Sequence, residues 1–347
     1  METRNSHYSP EPYERAFDGW VYACMRSDLS EGKVALTFPG HRILITMDDV
    51  RPDKIIAMSN TCLHRGAQIV GGSEHIWFGK SDLVCPYHRW TYSEQGVLRA
   101  GLGMSAACKG LELRRYPVEV IGDFVFVDLS DRHEEFKTGG GIDLALLQIT
   151  KAMGDRIGRD TRHFSCNWQI CVENTLESTH IGPVHPETFG KIKMRPTVRA
   201  YAYSESYRVA SASSYMHVPF AESSKRPDFA RHHTSGGFEH WYIYPNLSIG
   251  SVDGMTFYVG SIVPRGEAKT EFHYSMYKAH CLDPKSQMIC DFIAASMPEF
   301  TGKTLDEDVA ICEMVQRGWH HRNRGEDLLT EQDIRIEWFR KALPPQE

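Results

Sequence analysis

The order of apolar and polar residues divides the chain into two parts with different periods. In the first part, short runs rich in valine, isoleucine and aromatic residues are interrupted by glycine, proline and aspartate, which is typical of strands joined by turns. The clearest runs cover residues 33–49, 54–62, 90–100 and 116–130. The pattern predicts a small all-β domain over residues 20–130, preceded by a polar N-terminal segment at 1–19.

The second part mixes helical and strand periods. The spacing of apolar residues predicts helices near residues 168–181, 284–299, 304–317 and 330–342. Strand-like runs lie near residues 198–210, 238–250, 255–264 and 269–281, and a long loop is expected at 219–237. We therefore expect an α+β domain over residues 144–347, with helices around an antiparallel sheet. A polar, glycine-bearing linker at 131–143 would join the two domains.

Composition narrows the class of protein without identifying it. The 347 residues carry a net charge of −6 and contain no basic tract, which argues against a nucleic-acid partner. No apolar run approaches the roughly 18 residues of a membrane helix, and the polar N-terminus lacks the pattern of a secretory signal. We expect a cytoplasmic protein that binds no membrane, in which the nine cysteines form no disulfide framework.

Two of the cysteines stand close to histidines. Cys62-x-His64 and Cys85-x-x-His88 are separated by 20 residues, and each pair offers one thiolate and one imidazole. Finger-type zinc sites group cysteines in one pair and histidines in the other. Mixed pairs instead suit a two-iron cluster in which the thiolates hold one iron and the imidazoles hold the second. A mixed zinc site is the alternative.

The stretch that carries these pairs resembles a Rieske [2Fe-2S] site, and the resemblance implies that all four side chains are cluster ligands. Two details depart from the commonest family pattern. The gap between the pairs is slightly long, and Arg89 stands where a glycine usually precedes the tryptophan. Neither difference removes a ligand.

A second group of polar residues lies on the predicted helix at 168–181. Glu177 and His180 fall on one face of that helix. Because a residue that precedes proline leaves the helical region, we expect the helix to stop at Gly182-Pro183 and the chain to turn back before His185. The two histidines would then converge on one metal ion.

Two histidines and one carboxylate with open positions mark a mononuclear non-haem Fe(II) site, so a third ligand is needed. On a predicted C-terminal helix, Asp308 shares a face with Ile311, Cys312 and Val315, which directs its side chain inward. A charged group that points inward usually has a partner or binds a metal. We predict Asp308 as the third ligand, with Glu307 as the alternative.

Asn174, Glu177, His180 and His185 resemble the Asn-x-x-Asp/Glu-x-x-His-x-x-x-x-His motif of Rieske non-haem iron oxygenases. In these enzymes, which form the aromatic-ring-hydroxylating dioxygenase family, the motif occurs in the alpha subunit of the terminal oxygenase component. The segment 308–318 is similar to the C-terminal part of these proteins. The resemblance implies a helix-grip catalytic domain, in which an antiparallel sheet wraps a helix. It also implies two cofactors, the [2Fe-2S] Rieske cluster and mononuclear Fe(II).

The same resemblance implies a route for electrons. In the family, the cluster of one subunit serves the iron of its neighbour through a carboxylate that bridges a histidine of each site. By position, Glu177 would bridge His88 of the adjacent chain and His180 of its own. We therefore expect a homotrimer that uses O2 and a separate NAD(P)H-dependent flavin/iron-sulfur reductase, with or without a ferredoxin. The glycine-containing stretch at 101–106 has no following helix, so no nucleotide site is expected there.

The expected activity is hydroxylation of a small organic substrate, with an aromatic compound ranked first. Glu177 resembles the glutamate of carnitine-type oxygenases, which keeps open an oxidative N- or O-demethylation of a small quaternary ammonium compound. An electron carrier without oxygenase activity is the alternative from another class. His217 and His240, in the predicted sheet or the loop beside it, are candidates to face the substrate.

Overall fold

The computed structural model describes residues 13–48, 51, 53–71, 76–105, 108, 110–132, 135–136, 139–191, 199–202, 212–221, 229–319 and 327–343. It divides into two compact units. The N-terminal unit covers residues 17–136, and the C-terminal unit covers the chain from residue 137 onward together with the short helix Tyr13–Ala16 (α1). The predicted linker at 131–143 is shared between the units, and a helix begins within it at Gly139.

The N-terminal unit is all-β, as the alternating pattern predicted. Its strands are Trp20–Met25 (β1), Lys33–Phe38 (β2), His41–Met47 (β3), Ile55–Ser59 (β4), Ile76–Gly79 (β5), Thr91–Tyr92 (β6), Leu98–Ala100 (β7), Arg115–Tyr116 (β8), Val118–Ile121 (β9) and Phe124–Asp128 (β10). They form a five-stranded sheet in the order β5-β2-β3-β4-β8, a three-stranded sheet in the order β1-β10-β9, and the small pair β6-β7. The predicted run at 33–49 is the hairpin β2–β3, which turns at Gly40 with a φ of +73°.

The C-terminal unit is built on one antiparallel sheet of seven strands. These strands are Met153–Phe164 (β11), Arg199–Ala202 (β12), Ser214–Pro219 (β13), Gly237–Ile243 (β14), Leu247–Val252 (β15), Thr256–Gly266 (β16) and Lys269–Ala279 (β17), in the order β11-β17-β16-β15-β14-β13-β12. The helices are Gly139–Ala152 (α2), Trp168–Leu176 (α3), Ile181–Val184 (α4), Pro284–Ala294 (α5), Met297–Trp319 (α6) and Ile334–Ala342 (α7).

Helix α3 lies against the sheet and is nearly enclosed by its surroundings. It contacts β14, β16 and β17 as well as α6 and α7, and Trp168, Val172 and Leu176 are fully buried. Asn167 caps the helix by accepting a hydrogen bond from the backbone N–H of Gln169, and its own N–H donates to Gln316 Oε1 on α6 at 2.7 Å. This arrangement is the expected helix-grip fold, and the predicted α+β class is confirmed.

Several predicted elements of this unit need correction. The run at 238–250 forms the hairpin β14–β15. The sequence pattern missed strand β13, whose last residue, Pro219, is the first residue of the predicted loop at 219–237. The 12-residue edge strand β11 was also missed, because its many charged residues hide the alternation. The predicted strand at 198–210 corresponds to β12, and residues 203–210 lie outside the described part of the chain.

The helices near the C-terminus also differ from the predicted ones. Helix α6 begins at Met297, seven residues before the predicted start, with Pro298 in its first turn where a missing N–H is tolerated. Gly302, two residues before that predicted start, lies inside the helix, and a Cβ there would come within 2.9 Å of a guanidinium nitrogen of Arg162. Among the described helices, none is long and apolar enough to cross a membrane.

Candidate iron-sulfur and mononuclear iron sites

The two cysteine–histidine pairs lie on two loops with the same backbone geometry. In the first loop the N–H of Gly66 donates to the carbonyl of Cys62 at 2.9 Å, and in the second the N–H of Arg89 donates to the carbonyl of Cys85 at 3.0 Å. The N–H of each cysteine in turn donates, at 2.8 Å, to the carbonyl five residues further along, that of Ala67 or Trp90. Each loop is therefore closed by local hydrogen bonds.

The closing residue of each loop has a left-handed conformation. Gly66 has a φ of +73°, which costs glycine nothing. Arg89, at the equivalent position of the second loop, has a φ of +57°, where a Cβ is strained. This is the physical reason for the glycine that usually occupies this place, and Arg89 keeps the loop conformation despite the strain.

The sulfur and nitrogen donors of the loops are separated by burial. Cys62 and Cys85 lie in the core of the N-terminal unit, whereas His64 is exposed and His88 is half-buried. The two imidazole rings are 4.6 Å apart, and that of His64 stacks on Trp90 at 4.8 Å. Two buried thiols and two outward imidazoles, one of each per loop, fit a cluster whose inner iron takes sulfur and whose outer iron takes nitrogen.

Tyr92 places a hydroxyl beside one of the sulfurs. Its oxygen accepts from the N–H of Leu63 at 3.0 Å and lies 3.2 Å from Cys62 Sγ. Because the oxygen already accepts from the backbone, its own proton is directed at the sulfur. A thiolate at Cys62 would thus receive one side-chain hydrogen bond.

In the C-terminal unit, the segment after α3 differs from the predicted helix. The helix ends at Leu176, and Glu177 is extended, with φ −117° and ψ 169°. The Glu177 carboxylate accepts from the backbone N–H groups of Thr179 and His180 and so competes with the helical hydrogen bonds. The break was predicted at Gly182-Pro183, but Pro183 lies inside the one-turn helix α4, where a first-turn proline is tolerated.

His180 and His185 precede and follow α4, and both direct Nε2 towards Asp308. Asp308 Oδ1 lies 3.7 Å from His180 Nε2 and 3.1 Å from His185 Nε2. One potential ligand atom from each of the three residues lies within 4.8 Å of the others. Two imidazole nitrogens and one carboxylate oxygen in this arrangement fit a facial triad for Fe(II).

Asp308 is buried on α6, as predicted from its helix face. The buried positions of that helix are Gly302, Thr304, Asp308, Cys312 and Gln316. Val315, predicted on the same face, is 39% exposed, so from Thr304 onward the buried positions follow one another at intervals of four residues. Asn174 on α3 donates from Nδ2 to the same oxygen, Asp308 Oδ1, at 2.9 Å and so restrains the carboxylate.

The second nitrogen of each histidine has its own carboxylate. His180 Nδ1 contacts Glu177 Oε1, and His185 Nδ1 lies 2.8 Å from Glu307 Oε2, which also accepts from the Thr188 hydroxyl at 3.2 Å. Glu307, the alternative third ligand, therefore faces the far nitrogen of His185. Such pairs fix the tautomer and the ring orientation of a ligating histidine. The sequence offered no signal for this role beyond the adjacency of Glu307 to Asp308.

Ionisation in this group follows the same contacts. Burial alone would raise the pKa of Glu177, but hydrogen bonds from His180 and Thr179 lower it. Burial alone would lower the pKa of His185, but Asp308 and Glu307 raise it. The three carboxylates therefore form an anionic surrounding for the two imidazoles, which suits a cation.

A pocket opens beside the three residues, between the sheet and α6. It is walled mainly by apolar and aromatic side chains, among them Phe164, Ile181, Phe189, Phe238, Val252, Phe257, Tyr258, Ile262, Phe272, Met276, Met297, Phe300 and Leu305. His240, one of the two histidines predicted to face the substrate, is among the residues that line the pocket. His217, the other, is not among the described residues that line it.

Comparison with known proteins agrees with this arrangement. The Rieske [2Fe-2S] domain profile matches residues 19–117, and the profile of the ring hydroxylating alpha subunit (catalytic domain) matches residues 153–343. The anthranilate 1,2-dioxygenase large subunit of Acinetobacter baylyi is 26% identical over 194 residues, which are 52% of this chain and 40% of that protein. The chloroplastic choline monooxygenase of Spinacia oleracea is 26% identical over 337 residues, which are 91% of this chain and 70% of that protein.

The fold also matches solved structures. A structure of a quaternary ammonium Rieske monooxygenase, described in connection with carnitine oxidation by gut microbiota, superposes with a TM-score of 0.72 at 20% identity, over 94% of this chain and 88% of that one. A Rieske profile decides between the cluster and the mixed zinc site, and the catalytic-domain profile excludes a bare electron carrier. The chain therefore belongs to the Rieske non-haem iron oxygenases, as an alpha subunit whose cofactors are a [2Fe-2S] cluster and mononuclear iron.

Proposed function

We propose that the chain is a terminal oxygenase in which Cys62, His64, Cys85 and His88 hold the Rieske cluster and His180, His185 and Asp308 hold Fe(II). The observation that carries the iron assignment is the convergence of both Nε2 atoms on Asp308 while both Nδ1 atoms meet carboxylates. When bound, the iron activates O2 and the cluster supplies single electrons.

In this proposal, side chains around the iron site orient its ligands and enclose the substrate pocket. Glu307 and Glu177 keep the Nδ1 proton on each imidazole, so that both Nε2 atoms remain free for the metal. Asn174 fixes the rotamer of Asp308. The apolar wall excludes water from the pocket, which protects the oxidation from side reactions.

Glu177 has a second proposed role as the inter-subunit bridge. Its Oε1 already contacts His180 Nδ1, and its Oε2 is held by Thr179 and His180 backbone donors. The bridge would be completed by His88 of the adjacent chain in a homotrimer. An NAD(P)H-dependent flavin/iron-sulfur reductase, with or without a ferredoxin, would supply the electrons. The nine free cysteines support a reducing, cytoplasmic location.

The bridge can be tested without the natural reductase. The protein is reduced chemically, freed of reductant and exposed to O2 with substrate, while the cluster absorbance is followed. In the wild type the cluster reoxidises in one turnover, whereas in Glu177→Ala, assayed with excess Fe(II) and with metal analysis showing both metals bound, it should stay reduced. Fast reoxidation in Glu177→Ala would rule out the bridge.

For the substrate, we propose a small quaternary ammonium compound, with oxidative demethylation ahead of aromatic hydroxylation. The wall carries several aromatic faces, and the described lining residues include Glu177 and Asp308 but no lysine or arginine. Aromatic faces attract a trimethylammonium group through cation–π interactions. Of the relatives above, the choline monooxygenase matches over most of the chain, whereas the anthranilate dioxygenase matches over about half of it. The latter keeps aromatic hydroxylation as the second candidate.

A single-turnover screen tests the function. Holoenzyme with about three irons and about two sulfides per chain is reduced, mixed with O2 and each of choline, carnitine, glycine betaine and anthranilate, and assayed for products. Formaldehyde together with the demethylated amine from an ammonium compound supports the first proposal. A hydroxylated ring from anthranilate supports the second. Zinc in place of iron, without sulfide, would contradict both.

A further inference from the structure

One wall of the pocket carries a tyrosine whose position depends on a glycine opposite it. Tyr258 on β16 pairs with Gly250 on β15, and its ring lies directly over that residue. A Cβ at position 250 would come within 2.1 Å of Tyr258 Cε1. Only glycine leaves room for the ring here, so the sheet itself fixes where the phenol hydroxyl lies.

Behind this hydroxyl runs a chain of hydrogen bonds that ends at a buried cation. Arg335 on α7 donates from a terminal nitrogen to His240 Nδ1 at 3.0 Å. His240 Nε2 lies 2.9 Å from Ser248 Oγ, and Ser248 Oγ lies 3.3 Å from the Tyr258 hydroxyl. Arg335, His240 and Ser248 are at most 1% exposed, so solvent does not compete with these bonds.

The direction of these hydrogen bonds follows from which atoms can donate a proton. A guanidinium has only donors, so His240 Nδ1 must accept, and a neutral imidazole then carries its proton on Nε2. Burial, followed by the charge of Arg335, lowers the pKa of His240 well below its usual value, which keeps the ring neutral. Nε2–H therefore donates to Ser248 Oγ.

The last hydrogen bond of the series joins the hydroxyls of Ser248 and Tyr258. Ser248 is completely buried, and its proton finds an acceptor in the Tyr258 oxygen. Among the residues that the structure describes, Ser248 is the hydrogen-bond partner of that hydroxyl. The phenolic proton is thus left for a group inside the pocket.

From this geometry we infer that Tyr258 is a specificity-determining residue that donates a hydrogen bond to an oxygen of the substrate. Arg335, His240 and Ser248 act as positioning residues that orient this donor. The inference rests on the proposed function of the pocket as the substrate site. It adds a requirement: the preferred substrate carries an acceptor oxygen, and a carboxylate would accept the stronger, charge-assisted hydrogen bond.

Matched ligand pairs test this in the iron- and cluster-loaded protein. One pair is γ-butyrobetaine and butyltrimethylammonium, and the other is acetophenone and ethylbenzene; the members differ in their acceptor oxygens. Calorimetry gives the dissociation constant of each. For at least one pair, the wild type should bind the oxygen-bearing member more tightly. Tyr258→Phe should reduce that ratio by about tenfold or more for the carboxylate, without weakening the oxygen-free member.

The ratio within a pair does not depend on how much of a variant is folded. Ser248→Ala should lower the ratio in the same direction by less, because it removes the orientation but keeps the donor. Tyr274→Phe, a buried tyrosine on β17 outside the pocket lining, is the control and should leave the ratio unchanged.

The outcomes separate the two proposals. If the preference for oxygen survives in Tyr258→Phe, or both members of a pair weaken equally, the role of Tyr258 is wrong and the pocket remains the substrate site. If no member of either pair binds the wild type, the proposed substrate site and this inference fail together.

Discussion

The cluster site and the iron site of this chain differ in how far apart their residues lie in the sequence. Each cluster loop is a single turn closed by hydrogen bonds between its own backbone atoms, such as that from Gly66 N–H to Cys62 O. The iron site joins α3 and α4 to α6, and the contact from His185 to Glu307 spans 122 residues. In the first case the backbone orients the ligands, and in the second case side chains do so.

The difference decides which substitutions matter. A loop held by its own backbone tolerates changes at positions that supply no ligand, so their effects should be modest. A site assembled between helices depends on the side chains that orient its ligands. Here these are the carboxylates that contact the imidazoles and the carboxamide that contacts Asp308. We therefore expect larger effects around the iron than around the cluster.

The largest effect is expected from Asp308→Ala. It removes the only proposed oxygen ligand, so about one iron per chain should be lost, turnover should cease, and the visible spectrum of the cluster should persist. Metal analysis with absorption spectroscopy measures this. Asp306→Asn is the control, since Asp306 is exposed and pairs with Arg162 at 2.8 Å. Full iron content in Asp308→Ala would exclude Asp308 as a ligand.

A smaller loss is expected when Glu307 is changed. Glu307→Ala leaves His185 Nδ1 without its carboxylate and should weaken Fe(II) binding by about 10- to 100-fold, while Glu307→Gln, which still accepts a hydrogen bond, should lose less. Competition with a chelator gives the affinity. Equal affinity in Glu307→Ala and the wild type would show that the loop alone orients His185, as backbone does at the cluster.

At the cluster, Tyr92→Phe should act on the potential and leave the ligands in place. One net hydrogen bond to the Cys62 sulfur is worth about 0.5–1.5 kcal/mol, which corresponds to a reduction potential lower by about 20–65 mV for one electron. Redox titration of the visible spectrum reports it. Tyr87→Phe, an exposed residue of the second loop, is the control. An unchanged potential in Tyr92→Phe would mean that its proton does not reach the sulfur.

The smallest effects concern the closing residues of the two loops. Gly66→Ala places a Cβ at a φ of +73° and should lower the free energy of unfolding by about 1 kcal/mol, whereas Arg89→Gly removes strain at +57° and should raise it by up to about 1 kcal/mol. Both changes in the free energy of unfolding can be measured by denaturant unfolding followed through the cluster absorbance. Effects of the same sign would contradict the equivalence of the loops.

Much of the site was visible in the sequence, for a physical reason. Metal ligands are restricted to a few residue types, and on short loops or one helix their spacing alone limits where they lie. The proposed ligands Cys62 and Cys85 with their histidines, and His180 with His185, are of this kind. Asp308 needed one further step, the amphipathic pattern of its helix, and that pattern identified the buried face although it misplaced Val315.

Other features depended on neighbours that no local pattern reveals. Helix α3 ends at Leu176 because the Glu177 carboxylate binds the following N–H groups, not because of Pro183. Strand β11 is held in the sheet by β17 despite its charged sequence. The guanidinium of Arg162, from β11, occupies the space beside Gly302 on α6.

The sequence by itself determined the two-domain order and the α+β class and indicated the two proposed sets of metal ligands, because ligand chemistry and hydrophobic period are properties of short segments. Only the tertiary structure decided that Glu307 faces His185 and that Arg335, His240, Ser248 and Tyr258 form one chain of hydrogen bonds. The contact of His185 with Glu307 spans 122 residues and that of Arg335 with His240 spans 95, whereas the other two join neighbouring strands of the sheet. Their geometry is set by packing across the sheet, where a single glycine at position 250 determines where a hydroxyl can lie.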